Sequence, residues 1–470
     1  VGYRMRGESR VGPDTRIEVV TEGVFTRLLQ SDPELEGVGV VVFDEFHERS
    51  LDADLGLALA WQGRELFGDT NRPLKFLLMS ATLDDRALAS LLDEAPVLEC
   101  PGRQYPVEVV YSQGRNASDR VIPAVVATVR RALEETAGNV LVFLPGQAEI
   151  RRVAARLDLP VGVRVEPLHG GLSLEAQQRA IALPGEGMRK VVLATNIAET
   201  SLTIEGITTV VDAGLVREPA FQPGSGLTRL ETVQVSRASS IQRMGRAGRL
   251  APGRCYRLWN EEQQDRLVPH ASPEVHQADL SSLALQLLAW GVDEPAELRW
   301  LDVPPAAAWK QALAMLQRLG VAGRHSEGRW FLTRHGQRLV GLPLPVRLSH
   351  LLSLAADHGL LDTGVLLAAL LAERQPPGGS CDLEAELGLL RADTRPPATL
   401  KGWYERVNKE ARRLRGMAGW EQTLDADIPD DAAVGFLLAA AWPERIARRV
   451  SGARYQLSGG QQVRLAEHDD

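Results

Sequence analysis

Val38-Gly39-Val40-Val41-Val42-Phe43, followed at once by Asp44-Glu45-Phe46-His47, is the stretch on which the fold turns. The first six residues form an unbroken, mostly β-branched run, which reads as a central parallel strand covered on both faces. In open α/β sheets, ligands collect beyond the carboxyl ends of such strands. Here that end carries two adjacent carboxylates and an imidazole. A buried strand ending in Asp-Glu has the form of a Walker B element, in which the Asp holds Mg²⁺ through water and the Glu polarises an attacking water. The same pair also fits a plain solvated turn, and these residues alone do not choose between the two.

Outward from this strand the chain alternates. Asp54 to Phe67 has helical periodicity, and Lys75 to Ser80 is another buried strand, running into Ser80-Ala81-Thr82. After a break at Pro101 to Pro106 a new series starts, with strands at Asn139 to Leu144, Val163 to Leu168, Lys190 to Thr195 and Thr208 to Asp212. Helices near Gln147 to Leu157 and Ser173 to Ala182 separate them, so two parallel-sheet domains follow one another. Beyond about residue 262 the pattern is mostly helical, clearest at Ala306 to Leu319 and Val346 to Leu371, with a small hairpin around Gly328 to Leu332. The Pro- and Gly-rich Glu373 to Arg395 reads as a loop, and Arg454 to Gly460 as a strand and turn opening a small β-barrel.

At 470 residues the chain exceeds one core and implies three or four domains of roughly 100 to 200 residues each. Hydrophobic and charged contents of 44% and 24% are those of an ordinary globular protein. No apolar run reaches the roughly 20 residues that cross a bilayer, and Val365 to Ala372 and Phe436 to Trp442 read as core helices. Cys100, Cys255 and Cys381 lie too far apart in sequence for a metal or disulfide framework, which fits a reducing, cytoplasmic setting. A net charge of -8 argues against indiscriminate coating of nucleic acid but allows a local basic channel. Thr232 to Trp259 holds six arginines and no acid. A second basic stretch, Lys401 to Arg415 with Trp403 and Tyr404 inside it, reads as a solvated helix face. The chain opens Val1-Gly2-Tyr3-Arg4, with neither Met nor a signal-peptide pattern, and is expected to be a fragment.

Gln242-Arg243-Met244-Gly245-Arg246-Ala247-Gly248-Arg249 is the second chemical signal. In a helix, Gln242, Arg246 and Arg249 share a face, and guanidinium forks suit phosphate oxygens. Gly245 and Gly248 each cost a helix about 1 kcal/mol against Ala, which implies close backbone approach. An exposed basic helix is the other reading. Ala194 to Ile204, dense in hydroxyls and amides after a buried strand, can hold sugar-phosphate without reading a base, or can be only turns and caps.

In this order the segments resemble the motifs of the DEAH-box branch of superfamily 2 helicases. Asp44 to Ser50 is similar to motif II, with Phe46 where the family usually has Ala. Thr21-Glu22-Gly23 resembles motif Ib, Ser80-Ala81-Thr82 motif III, Leu141 to Gly146 motif IV, Ala194 to Ile204 motif V and Gln242 to Arg249 motif VI. Phe46 and Trp442-Pro443-Glu444-Arg445-Ile446-Ala447 resemble the bacterial HrpB group in particular.

The resemblance implies an α/β fold of two tandem RecA-like P-loop NTPase domains, the first incomplete. They would occupy 1–100 and 101–262, followed by a winged-helix domain at 263–330, a helical bundle at 331–425 and the start of an OB-like β domain at 426–470. It implies ATP and Mg²⁺ as cofactors, with Asp44 holding the metal through water, Glu45 as general base and His47 meeting Gln242. Arg246 and Arg249 would face the γ-phosphate. Ser80, Thr82, Ser201 and Thr203 would couple nucleotide state to strand separation, and Thr21, Thr195 and Asn196 would touch the nucleic-acid backbone. Asp212 to Val235, with Gly214, Pro223, Gly224 and Gly226, matches the family's strand-separating β-hairpin, an ordinary surface hairpin being the alternative.

The implied activity is ATP-driven 3′ to 5′ translocation on single-stranded or partly duplex RNA or DNA, away from membranes. No Gly-x-x-x-x-Gly-Lys-Ser/Thr occurs, so the phosphate loop is expected upstream, and the chain by itself could also be a non-catalytic binding fragment. Ile181 stands where many relatives carry an adenine-stacking aromatic, and Glu205 replaces a common Asp.

Overall fold

The computed structural model describes every residue except 6, 69–72, 82–84, 101, 103, 114–120, 201, 223–225, 374–381, 392–399, 418–427 and 466–470. The chain divides into two compact units. One comprises Val1–Leu78, Phe221–Thr228 and Glu274–Asp470, the other Met79–Ala220 and Arg229–Pro273.

The second unit is built on a six-stranded sheet in the order Val107–Tyr111, Gly253–Arg257, Ile207–Asp212, Asn139–Phe143, Arg189–Ala194, Val163–Leu168. All five pairings are parallel. Its central strand, Asn139–Phe143, is buried throughout because both faces are covered. Val140 and Val142 join a core with Val125 and Val129 of helix Val121–Glu135. Leu141 and Phe143 join a second core with Ala180, Ala198 and Ala247. A two-residue side-chain period serving two apolar layers is what a doubly covered strand requires. The expected strands and helices of this unit are found to within a few residues at their ends.

In the first unit, Val40–Phe43 pairs in parallel with Lys75–Leu78. Helix Leu51–Phe67 packs against helix Glu22–Ser31, and Phe25, Phe43 and Phe46 form an edge-to-face series. The expectation of a strand covered on both faces is corrected here. Phe43 is buried, but Val40 and Val42 are each 50% exposed, because among the described residues only one face of the pair carries a helical layer. A three-stranded sheet, Gly2–Met5 with Glu8–Arg10 and Glu18–Val20, was not foreseen.

The helical region also departs from expectation in three places. Val346 to Leu371 is two helices, Val346–Asp357 and Leu361–Ala372, broken where Gly359 takes a left-handed φ of 68°. The expected loop Glu373 to Arg395 contains helix Leu383–Arg391, whose Leu387 is buried in the bundle core. Helix Lys401–Arg415 is no merely solvated face: Trp403, Tyr404, Val407, Ala411 and Leu414 recur at three- and four-residue spacing and are buried in that core. Antiparallel strands Ala447–Ser451, Arg454–Leu457 and Gln462–Arg464 follow. Among the described residues no helix is long and apolar enough to cross a membrane.

Candidate functional site

In the first unit the chain leaves strand Val40–Phe43 with Asp44 exposed, and Glu45 in the left-handed region at φ 49°. The Glu45 N–H donates to Asp44 Oδ1 at 2.9 Å, which turns the loop tightly. Phe46 then plunges into the core, 2% exposed, its ring 6.0 Å from that of Phe43. Burying that ring carries Asp44 and Glu45 outward at the carboxyl end of the strand, where the topology places ligand sites. His47 is half-buried, its Nδ1 3.6 Å from Glu45 Oε2.

The far side of the loop is anchored by residues that sequence reasoning passed over. Arg49, left-handed at φ 50°, grips Asp54 with Nε at 3.2 Å and NH2 at 3.0 Å, and reaches Asp302 with NH1 at 2.7 Å. The Leu51 N–H donates to Glu274 Oε2 at 2.8 Å, and the Glu274 N–H donates to Arg49 O at 3.1 Å. Ser50 Oγ caps helix Leu51–Phe67 and donates to Glu22 Oε2 at 2.7 Å. That bond brings Thr21-Glu22 beside the loop, Thr21 being the exposed N-cap of helix Glu22–Ser31. Burial raises the pKa of Glu22 and of Asp52.

In the second unit, Thr195 and Asn196 follow the carboxyl end of strand Arg189–Ala194, with Asn196 exposed. The loop behind them is shaped by arginine. Arg246, 5% exposed, donates to the carbonyl oxygens of Glu199, Thr200 and Leu202. Arg249 is exposed and donates to Thr203 Oγ1 at 3.2 Å. Gln242 is half-buried on helix Arg237–Gly245. The continuous helical face expected for Gln242, Arg246 and Arg249 is corrected, because the α-helix ends at Gly245 and tightens to a 3₁₀ turn over Arg246–Gly248. Close approach explains Gly248, where a Cβ would lie 2.5 Å from Tyr105 O; at Gly245 the nearest atom, Gln104 Nε2, is 3.5 Å away. Ser80 is exposed just past strand Lys75–Leu78. Thr82 and Ser201 lie outside the described residues.

Arg243 is the organising side chain that the motif reading passed over. Fully buried, it donates from Nε to Glu199 Oε2 at 2.9 Å and from NH1 to Asp212 Oδ1 at 3.0 Å, with Phe143 beneath it at 4.9 Å. Burial opposes its charge, and the two carboxylates outweigh burial, so its pKa is raised. Lys190 Nζ donates to the carbonyls of Ala180, Ile181 and Ala182, closing the helix that ends at half-buried Ile181. Burial lowers its pKa to about 8. The arrangement offers an exposed carboxylate beside a half-buried one, suited to a hydrated cation, in one unit, and in the other an exposed guanidinium and polar groups suited to phosphates.

The family described as helicase conserved C-terminal domain matches residues 124–251. Over 472 residues the chain is 44% identical to ATP-dependent RNA helicase HrpB of Escherichia coli (strain K12), a match covering all of this chain and 55% of that protein. The chain belongs to the DEAH-box helicases, HrpB type. The crystal structure of E. coli DExH-box NTPase HrpB matches the fold with a TM-score of 0.82 at 43% identity, covering 100% of this chain and 55% of that one. Mouse probable ATP-dependent RNA helicase DHX34 is 37% identical over 391 residues, 80% of this chain and 33% of that protein. This DEAH-box chain therefore spans about half, or less, of the length of these relatives. Its α/β architecture is that of the helicase fold, and the six-stranded parallel sheet is RecA-like.

Proposed function

We propose that the protein acts as an ATP-dependent RNA helicase, hydrolysing nucleotide with Asp44 and Glu45 and engaging the nucleic-acid backbone through Thr21, Thr195 and Asn196. The observation that carries this is Phe46, whose burial leaves two adjacent carboxylates, Asp44 exposed and Glu45 half-buried, at the carboxyl end of a parallel strand. The donor set fits a hydrated divalent cation, since Asp44 is exposed and its oxygens are carboxylate. Asp44 would hold Mg²⁺ through water, and the metal-bound ATP would supply the phosphoryl chemistry.

Glu45 accepts the proton of the attacking water, and His47 beside it orients that carboxylate. Arg249 offers its guanidinium to developing phosphate charge. Arg246 joins it once its carbonyl partners release it, so in this reading the loop Glu199 to Leu202 reports nucleotide state, together with Ser80, Thr82, Ser201 and Thr203. The hairpin Leu215 to Gln234 parts the strands of a duplex. Backbone contacts through Thr and Asn are indifferent to the sugar, so DNA is a competing substrate.

The test is nucleic-acid-stimulated ATP hydrolysis by the full-length protein, on RNA and DNA in competition. Glu45→Gln is expected to abolish turnover while leaving RNA binding; turnover that survives refutes Glu45 as the base. The lack of any Gly-x-x-x-x-Gly-Lys-Ser/Thr in these 470 residues favours a second reading for the chain taken by itself, grip without turnover. Titration with ATP and Mg²⁺ is expected to show weak or no nucleotide binding by this chain and binding once a phosphate loop is restored; no binding even then favours grip alone.

A further inference from the structure

Glu444 lies in the short 3₁₀ turn Pro443–Arg445, with its side chain 8% exposed. Five elements meet there. Arg347, in the first turn of helix Val346–Asp357, places NH2 2.7 Å from Glu444 Oε1, and its NH1 donates to Ala441 O at the end of helix Asp430–Ala441. Arg318, at the end of helix Ala306–Arg318, comes within 4.0 Å of Oε2. From the terminal sheet region, Ser458 Oγ donates to Pro443 O at 2.6 Å, and the Gly459 N–H donates to Glu444 O at 3.2 Å. The fifth element is the tip of the hairpin formed by strands Leu215–Gln222 and Leu227–Gln234.

Gly226 occupies that tip at φ 61°, a left-handed conformation that glycine adopts without strain. A Cβ added there would collide with Glu444 Oε1 and lie 2.9 Å from Arg347 NH2. The backbone at Gly226 therefore lies against the ion pair itself. On the other strand the Phe221 N–H donates to Gln277 O at 2.8 Å.

A two-stranded hairpin is marginal by itself, and the side chains of Leu215–Gln222 are only half-buried, so its position must be fixed from outside. Neither Glu444 oxygen makes a well-formed hydrogen bond among the described residues. A buried pair of that kind is a weak source of stability, and its best-attested use is to specify one arrangement. We infer that Glu444 and Arg347 form a latch that seats the hairpin tip through Gly226, which makes them positioning residues for duplex separation. The latch is a matter of geometry; its role in separation rests on the strand-parting reading of the hairpin given above.

The test compares the full-length protein with Glu444→Gln, which keeps the shape and removes the charge, and Gly226→Ala, which adds the excluded carbon. In both, amide hydrogen exchange over 215–234 is expected to quicken about tenfold while that of 139–143 and 189–194 stays unchanged. Unwinding of a tailed RNA duplex should fall about tenfold, with RNA-stimulated ATP hydrolysis within about twofold of the parent, since the pair specifies position rather than chemistry. Unchanged hairpin exchange in both variants overturns the latch. Faster exchange with unimpaired unwinding overturns the positioning role. Failure of the parent protein to unwind RNA at all sinks the helicase reading instead, and hydrogen exchange still decides the latch.

Discussion

Arg243 and Asp212 meet 3.0 Å apart with each side chain only 1% exposed. Glu199 completes the group at 2.9 Å, so one guanidinium bridges two carboxylates from two segments. Removing one member of a buried pair strands the other, at a cost of about 3–5 kcal/mol. Arg243→Met is expected to lose stability of that order in urea titration. Arg243→Lys should recover only part, because one ammonium cannot reach both acids as the fork does. Exposed Arg249→Ala should stay within about 0.5 kcal/mol of the parent. Equal losses at 243 and 249 would show that the pairing is not what matters.

Phe46 against Phe43 gives a second expectation. The DEAH-box family usually places Ala at this position, yet here the ring is 2% exposed and fills the space behind the Asp44-Glu45 turn. Phe46→Ala, although it restores the family's commoner residue, should cost about 3–5 kcal/mol through lost burial and a cavity. Crystallography or fluorescence-monitored unfolding of the variant checks it, and a loss under about 1 kcal/mol would mean that neighbours collapse into the space.

The paired histidines of the bundle predict a pH response. His335 Nε2 and His350 Nδ1 are 2.7 Å apart, with Ser353, Arg338, Asp357 and Arg347 around them. Burial, then His335 and Arg347, lowers the pKa of His350 to about 4, and burial lowers that of His335. Below its ordinary pKa of about 6.5 the unfolded histidine binds a proton that the folded one refuses, so stability falls as pH drops from about 6.5 to about 4. The loss is on the order of 3 kcal/mol for His350 at the low end. Glu22 and Asp52, whose pKa values are raised by desolvation, act in the opposite sense over the acidic range. Comparison with His350→Asn, which keeps a polar group near Nδ1, isolates the term; identical pH profiles would remove it.

Much of the fold could be read from the chain because its signals are local. The unbroken run Asn139 to Leu144 announces a doubly covered strand, and Asp44-Glu45 at a strand end announces where polar chemistry can stand. What could not be read depends on partners distant in sequence. Arg243 looks like one more motif arginine until Glu199 and Asp212, 44 and 31 residues away, are seen to converge on it. Arg49 likewise needs Asp302. The exposure of Val40 and Val42 was invisible for the converse reason, since a β-branched run states an affinity for burial and not which layers supply it. Helix Leu383–Arg391 was hidden by flanking Pro and Gly that outweighed Leu387 and Leu390.

Gly245 and Gly248 look equivalent in the sequence and differ in the structure, which supplies the last prediction. At Gly248 a Cβ would meet the Tyr105 carbonyl at 2.5 Å, and Tyr105 N–H in turn donates to Gly248 O at 2.8 Å, so neither backbone can yield freely. Gly248→Ala should therefore cost about 1–3 kcal/mol, as overpacking does. At Gly245, φ is -58°, and the nearest atom to an added Cβ is the flexible Gln104 amide at 3.5 Å. Gly245→Ala should be neutral or stabilising by about 0.4–1 kcal/mol, because it restricts the unfolded chain without strain in the folded one. Thermal or urea unfolding of the two single variants decides it. A destabilised Gly245→Ala, or a silent Gly248→Ala, would show that the turn from α-helix to 3₁₀ is set by something other than the Tyr105 backbone.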